Sequence, residues 1–446
     1  MMRFRPLVLL LAATLVVSSC SAIEQIQQQQ DQTTPRAQTN FATAEAVFNI
    51  LIERHVDKPT SSQLLNAAVD AVVALLVKLN DPQPTMAKPT FTNNPQSDFA
   101  KFAAALNDVL AANPKEDPKL VEQQATDGMA RSMNECHTYY LDPSRAKGFN
   151  APPQEYSGIG ATITSPGPND LVEVAQVFPN SPAEKAGVKK GDKIKTVNGE
   201  DMSGRTSEEV ANKIKGPEGT TVNIVFIRNG VDTPISIVRG KVTPPRVIDQ
   251  TDEGNVGYIY VSQLNGDVSN QVAQAVKRQN EAGVVGRVLD LRDDPGGDLS
   301  AAVDIASIFV KNATLVYQVG RDGNRTALRT NDRMYVNDPK PLVVLVNKNS
   351  ASGAEIIAAG VRANGAGTVM GDRTAGCVGI GQPRELPDGG LLLVTIARME
   401  DAKTGEPLNG PGKGVLPDKL VAADANGGSD NQRVAADSFI RSGGKT

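Results

Sequence analysis

Histidine and cysteine are scarce in this chain of 446 residues: two of the first (His55, His137) and three of the second (Cys20, Cys136, Cys377). No metal-ligand spacing can be built from them, so a zinc site is not expected, nor any other cofactor. An excess of one charge is lacking too. Lys plus Arg number 46 and Asp plus Glu 50, for a net charge of −4. This excludes a strong electrostatic grip on nucleic acid or an anionic membrane surface. With 40% apolar and 22% charged residues, the chain is neither largely disordered nor a polytopic membrane protein. Its length corresponds to about three domains at ~150 residues each.

One apolar run stands apart. Arg3 and Arg5 precede Pro6–Val17, which is too short to span a bilayer stably with these flanks and ends in Val17-Ser18-Ser19-Cys20. A small residue before Cys, after an apolar stretch, resembles the bacterial lipobox. The resemblance implies removal of residues 1–19, a lipid on Cys20 and a membrane-anchored exported protein, with a net charge of about −6 once Arg3 and Arg5 are gone. The alternative is an ordinary signal peptide with an incidental Cys. Residues 20–40, with four consecutive glutamines at Gln27–Gln30, hold too few apolar residues to pack and read as a linker.

Residues 41–150 carry helical periodicity. Ala44, Val47, Phe48, Leu51 and Ile52 share one face, Leu64, Leu65, Ala68, Val69, Val72, Val73 and Leu76 a second, and Phe99, Phe102, Ala103, Leu106 and Val109 a third. A fourth helix is expected from Leu120 towards Met133, and the Pro- and Asn-rich stretches at 82–95 and 113–118 break the run. Residues 155–242 change to short β-type runs at 171–177, 193–197, 222–228 and 233–238, with one helix near 207–215. There, Ser181-Pro182-Ala183-Glu184-Lys185-Ala186-Gly187-Val188, followed by Lys190-Gly191-Asp192-Lys193-Ile194, resembles the signature of a PDZ domain. Gly158-Ile159-Gly160-Ala161 resembles its carboxylate-binding loop, in which backbone N–H groups receive a peptide C-terminus. The alternative is a small β domain used only for packing.

Residues 245–421 alternate strand and helix: strands at 256–262, 284–292 and 341–347, helices at 267–281, 299–310 and 352–363. That alternation predicts an α/β domain with a largely buried sheet. Residues 422–446 read as a tail. Two strand-end loops carry the chemistry: Asp290-Leu291-Arg292-Asp293-Asp294-Pro295-Gly296-Gly297, and Asn347-Lys348-Asn349-Ser350-Ala351-Ser352-Gly353-Ala354-Glu355. Taken in order with the PDZ segment, over residues 41–421, they resemble the C-terminal processing (tail-specific) serine peptidases. These carry a PDZ insert on a crotonase-like α/β core behind an N-terminal helical domain.

The resemblance places the nucleophile on Ser352 and the oxyanion donors on the N–H groups of Gly353 and Gly297. A serine opening a helix is exposed, and the helix N-terminus favours developing negative charge. Helix capping is the competing role, and it suits Ser350 better than Ser352. Asp293 and Asp294 are expected to fix the double-glycine loop rather than to bind metal. The family's general base is a buried Lys within Gly-Glu-x-Thr-x-Gly-Lys-Gly. Here the segment reads Gly371-Asp372-Arg373-Thr374-Ala375-Gly376-Cys377-Val378-Gly379, with Cys377 where the Lys should stand, and a family Gln is displaced by one, to Gln382. A thiol is a poor substitute base. Lys348, at a strand end, is another candidate.

A different base is offered by Glu135-Cys136-His137-Thr138, which resembles the Ser-His segment of the tricorn-type branch. There the His is the base, supported by the Ser and a distant Glu. His137 matches the His, Cys136 replaces the Ser, and Glu406 lies in the region of the supporting Glu. An imidazole is suited to activating Ser near neutral pH; the competing reading is a structural His137. By the same resemblance Cys136 and Cys377 both map near Ser352. Two states stand open: a disulfide tying the helical domain to the catalytic loop, or two separate buried thiols. The expected function is an exported serine endopeptidase acting on protein or peptide substrates with a free C-terminus. The rival is a peptide-binding pseudoprotease, favoured by the loss of Lys at Cys377.

Overall fold

A computed structural model describes residues 39–81, 84–149, 156–164, 171–252, 254–423 and 430–444. The leader, Cys20 and nearly all of the linker lie outside the described residues.

Two compact units form. Of the described residues, the first takes 39–53, Pro59–Met133 and Leu386–Asp388. It holds α1 (Ala42–Arg54), α2 (Ser61–Lys78), α3 (Pro95–Ala112) and α4 (Pro118–Arg131). Each of the last three starts where sequence chemistry dictates: Thr60, Asn94 and Asp117 accept an amide N–H as N-caps, and Pro95 and Pro118 open the first turn. Leu64, Leu65, Ala68, Val69, Val72 and Leu76 of α2 are buried, each larger side chain stabilising by about 1.5–3 kcal/mol. Gly128 lets α4 approach α2 closely, since a methyl there would come within 2.5 Å of Ala71 Cβ. The helical unit stops at Met133 rather than 150, and residues 134–149 belong to the second unit.

The second unit begins with β1 (Tyr139–Leu141). A β-rich module follows: β2 (Tyr156–Gly158), β3 (Ala161–Thr164), β4 (Glu173–Val177), β5 (Lys193–Val197), α5 (Ser207–Ile214), β6 (Thr221–Arg228), β7 (Val231–Val238) and β8 (Gly240–Val242). Strands pair antiparallel in the order β3-β4-β5-β6-β7, and β2 pairs with β8. Thr206 and Glu209 close a capping box on α5. Asp192 of the Lys-Gly-Asp motif is buried and takes Arg228 at 2.7 and 2.6 Å, fixing the turn before β5 to β6.

The core then runs β9 (Val247–Thr251), β10 (Val256–Val261), α6 (Val268–Glu281), β11 (Gly286–Asp290), α7 (Leu299–Phe309), β12 (Thr314–Gly320), β13 (Arg325–Arg329), β14 (Leu342–Val346), α8 (Gly353–Ala363), β15 (Thr368–Gly371), β16 (Gly379–Glu385), β17 (Leu391–Asp401), β18 (Lys419–Leu420) and α9 (Asn431–Arg441). The central sheet has the order β9-β10-β11-β14-β15-β18, parallel except at β9. Every residue of β11 and β14 is buried; β14 reads as an unbroken apolar run, whereas β11 carries the buried charges of Arg287 and Asp290, paired with Asp338 and Arg292. A second, antiparallel sheet joins β1-β17-β12-β13, with β16 on β17. The C-terminal ends of the parallel neighbours β11 and β14 lie side by side, so the two motif-bearing loops emerge together.

The stretch read as a tail contains α9. Its Ala436 and Ile440 pack on Val256, Val288, Val343, Leu345 and Met370, and Asp430 at its N-cap takes both Nη atoms of Arg292, at 2.7 and 2.8 Å.

Candidate active site

The loop after β11 is shaped by glycine. Gly296 and Gly297 have φ of +89° and +150°, where a side chain is strained. A methyl on Gly296 would lie 2.7 Å from both Ser352 Cβ and Gly353 N; one on Gly297 would lie 2.2 Å from Asn265 Oδ1. Leu264 clips the loop, its N–H donating to Gly296 O (2.9 Å) and its carbonyl accepting from Asp298 N (2.7 Å). Asp294 is buried beneath. Its Oδ1 accepts from Gly296 N (2.7 Å) and its carbonyl from Ala351 N (2.9 Å), while Oδ2 has no partner among the described residues. Burial raises its pKa to about 7 against the opposing hydrogen bond from Gly296. Exposed Asp293 accepts from Asn347 and Asn349 side chains (3.0 and 2.7 Å), tying the two loops together.

Ser352 is the N-cap of α8, at φ +54° and ψ −115°. A non-glycine residue held there stores backbone strain, as nucleophile turns often do. Ser350, read as the better capping residue, does not cap: it is buried, donates to Leu291 O (2.7 Å) and accepts from Asn347 N. The first amide of α8, Gly353 N, lies near Gly297 N, which is 3.7 Å from the position a Gly353 methyl would take. Neither N–H has an acceptor among the described residues. Two unspent amides thus flank Ser352, the geometry an oxyanion hole requires.

Glu355, one turn into α8, organises the other side. It is wholly buried and accepts from Thr374 Oγ1 (2.5 Å), Gly376 N (2.9 Å), Cys377 N (2.9 Å) and Ser352 N (3.1 Å). Burial lifts its pKa to about 7 although all four donors pull it down. Ser352 N also donates to Cys377 O (2.8 Å), so the Cys377 peptide is braced directly against the serine.

Cys377 is bonded to Cys136, with a Cα–Cα distance of 5.9 Å. This removes the reading of two separate thiols. It also places the bridge within the second unit, so it does not tie the helical unit to the loop. His137 Nδ1 lies 3.6 Å from Cys136 Sγ and 3.8 Å from Cys377 Sγ. Three donor atoms come within 4.8 Å of one another there, but the sulfurs are engaged with each other and offer no thiolate to a metal. Burial lowers the pKa of His137, with the Glu135 charge opposing, so the ring is neutral at pH 7 and able to accept a proton.

The carboxylate beside His137 is Glu135, to which the His-Thr motif assigns no role. It accepts from His137 N (2.8 Å) and Thr395 Oγ1 (2.6 Å). Fully buried His55 stands behind it: Nδ1 accepts from Asp57 N (3.1 Å), leaving Nε2 to carry the proton 3.6 Å from Glu135 Oε1. Burial alone would raise the Glu135 pKa, but contacts from His55, Thr138, Thr395 and the His137 amide outweigh it and bring it down to about 2. Among the described residues, none of the other candidates hydrogen-bonds to this cluster. Glu406 is exposed in the turn after β17, where its carbonyl accepts from Asp401 N. Lys348 is exposed in the turn after β14. Gln382 sits in β16 and accepts from Arg384 (2.7 Å). Gly158, Ile159, Gly160 and Ala161 line a separate cavity of about 450 Å³ in the β-rich module, with Ile163, Ala211 and Ile214. Gly160 has φ +78°, and a methyl there would strike Ser181 Cβ at 2.4 Å.

Residues 255–421 match peptidase family S41 and residues 173–228 match the PDZ domain. The chain is 31% identical over 304 residues to the carboxyl-terminal-processing protease of Synechocystis sp., covering 67% of this chain and 70% of that protein. It is 30% identical to a CtpA-like serine protease of Staphylococcus aureus strain N315, over 69% of this chain and 61% of that one. Among solved structures, a Bacteroides fragilis protein assigned to the S41 proteases shares the fold with a TM-score of 0.55 at 16% identity, covering 90% of this chain and 98% of that one.

Proposed function

The chain belongs to the carboxyl-terminal-processing serine peptidases of family S41, and we propose that it is an exported, membrane-anchored endopeptidase with Ser352 as nucleophile and His137 as base. The reading is carried by one observation: the strained Ser352 lies between two amides, Gly297 N and Gly353 N, that have no acceptor among the described residues. Ser352 Oγ attacks the scissile carbonyl and its proton passes to His137 Nε2, since Nδ1 is turned to the sulfurs. The Gly297 and Gly353 N–H groups hold the tetrahedral oxyanion, each donor being worth about 10²–10³ in kcat. His137 then protonates the departing amine, and water releases the acyl group by the reverse sequence. Glu355 holds the Ser352 and Cys377 amides in place.

The PDZ module takes the substrate's free C-terminus. Its cavity is lined mainly by apolar side chains, which suits an apolar C-terminal residue, with the chain added as a strand beside the glycine loop. Lipid on Cys20 would anchor the enzyme outside the cytoplasm, in keeping with a structural disulfide.

A pseudoprotease remains the second reading, because the family's Lys position is occupied by a bonded cysteine. The test uses an unfolded protein with an apolar C-terminus. Cleavage by the wild type and not by Ser352→Ala supports the peptidase. Binding by both with cleavage by neither supports the pseudoprotease.

A further inference from the structure

We propose that the Cys136–Cys377 bridge is a thiol-exchange site that makes peptidase activity conditional on oxidation. The inference rests on the Ser352–His137 reading and adds two positioning residues to it.

The bridge joins two segments that other contacts hold unequally. On the Cys377 side, the peptide is clamped by Glu355 and by Ser352 itself: Cys377 N to Glu355 Oε2 (2.9 Å) and Ser352 N to Cys377 O (2.8 Å). On the Cys136 side, Thr138 is fixed to β17, where its Oγ1 accepts from Thr395 N (3.1 Å), and β1 pairs from Tyr139 onward. Between Asn134 and His137 the described restraints are the Glu135 carboxylate and the bridge. Glu135 and Thr138 tie the His137 segment to Thr395 of β17, whereas the sulfur–sulfur bond ties it to the Ser352 loop, with His137 Nδ1 within 3.8 Å of both sulfurs. Cys136 is exposed and Cys377 half-buried, so an external thiolate can reach the bridge from the Cys136 side.

A dithiol reductant, as its thiolate, attacks Cys136 Sγ; the S–S bond breaks and Cys377 leaves as thiolate, taking up a proton. The second thiol of the reductant then displaces Cys136 from the mixed disulfide. Two protein thiols and one oxidised reductant result, a two-electron transfer. With the covalent link gone, His137 is no longer held to the serine loop. The enzyme is silent in a reducing compartment and becomes competent where disulfides persist.

The experiment uses the full chain. Wild type is treated with a dithiol, freed of reductant, and assayed for cleavage of an unfolded protein and for binding of an apolar C-terminal peptide to the PDZ cavity. The expected result is a fall in kcat of at least tenfold, with KM and peptide binding changed less than twofold, and recovery on reoxidation. Cys377→Ser should match the reduced enzyme and ignore both treatments. Should that variant fail to fold, the reversible treatment of folded wild type decides alone. Reduced enzyme that cleaves within twofold of the oxidised rate, while His137→Ala is inactive, overturns the latch and leaves the base in place. An active His137→Ala overturns both.

Discussion

Gly296→Ala tests whether the double-glycine loop is a catalytic support or an ordinary turn. The φ of +89° costs an alanine about 1–2 kcal/mol. The added methyl would also sit 2.7 Å from Ser352 Cβ and Gly353 N and 2.8 Å from Ala351 O. These approaches are about 0.7 Å inside ordinary contact, and such overpacking costs about 1–3 kcal/mol more. Gly323→Ala is the matched control: its φ is +82°, and a methyl there would meet nothing within 4 Å. Urea unfolding should show Gly296→Ala less stable than Gly323→Ala by about 1–3 kcal/mol. Because Ser352 and the Gly353 amide are the atoms displaced, kcat should fall by about 10²-fold in the first and less than twofold in the second. Equal losses of stability, or a kcat in Gly296→Ala within threefold of wild type, would show the loop to be an ordinary turn.

Three further outcomes follow from the charges and the cavity. Asp294 and Glu355 both titrate near pH 7 when folded, above their unfolded values of 3.8 and 4.5. Their contribution is therefore complete below pH ~4 and lost as pH rises through about 7. Asp294→Asn should flatten that decline, by up to about 4 kcal/mol between pH 4 and 8; an unchanged pH–stability curve contradicts it. Glu135 is held at about 2 against 4.5 unfolded, so its contribution is present above pH 4.5 and lost as pH falls through about 2. Glu135→Gln should cost about 3 kcal/mol at pH 7 and show less acid sensitivity in a chemical-denaturation series. Ala211→Lys, placing a charge in the PDZ cavity, should weaken binding of an apolar C-terminal peptide at least tenfold by calorimetry, with kcat on a short peptide unchanged.

The local signals in the sequence were enough for the parallel core. The β14 segment reads as an apolar run because both its faces are buried, and Ser352, Gly353 and Gly297 fall in motifs tied to strand ends. The antiparallel sheet was not legible. β12 and β17 mix buried and half-buried residues, β13 and β16 hold none that is buried, and the pairing spans long separations, as between β1 and β17. Helix α9 is not legible in the sequence because only Gln432, Ala436 and Ile440 of its eleven residues are buried, too sparse a face to separate from a polar tail. The support for His137 was equally hidden. Glu135 meets Thr395 across 260 residues of chain, and His55 reaches it from another helix end, so no spacing rule connects them. Glu355 stood in plain view within the serine motif, yet its role depends on four donors that only the folded loop brings together.

Whether an imidazole rather than a lysine activates Ser352 is decided by the pH dependence of kcat/KM for wild type beside His137→Ala. Burial lowers the His137 pKa below 6.5, so activity should rise along an acidic limb below that value and be level by pH 7 to 8, with His137→Ala reduced at least 10²-fold throughout. A rate still climbing above pH 8, retained within twofold in His137→Ala, would contradict the account.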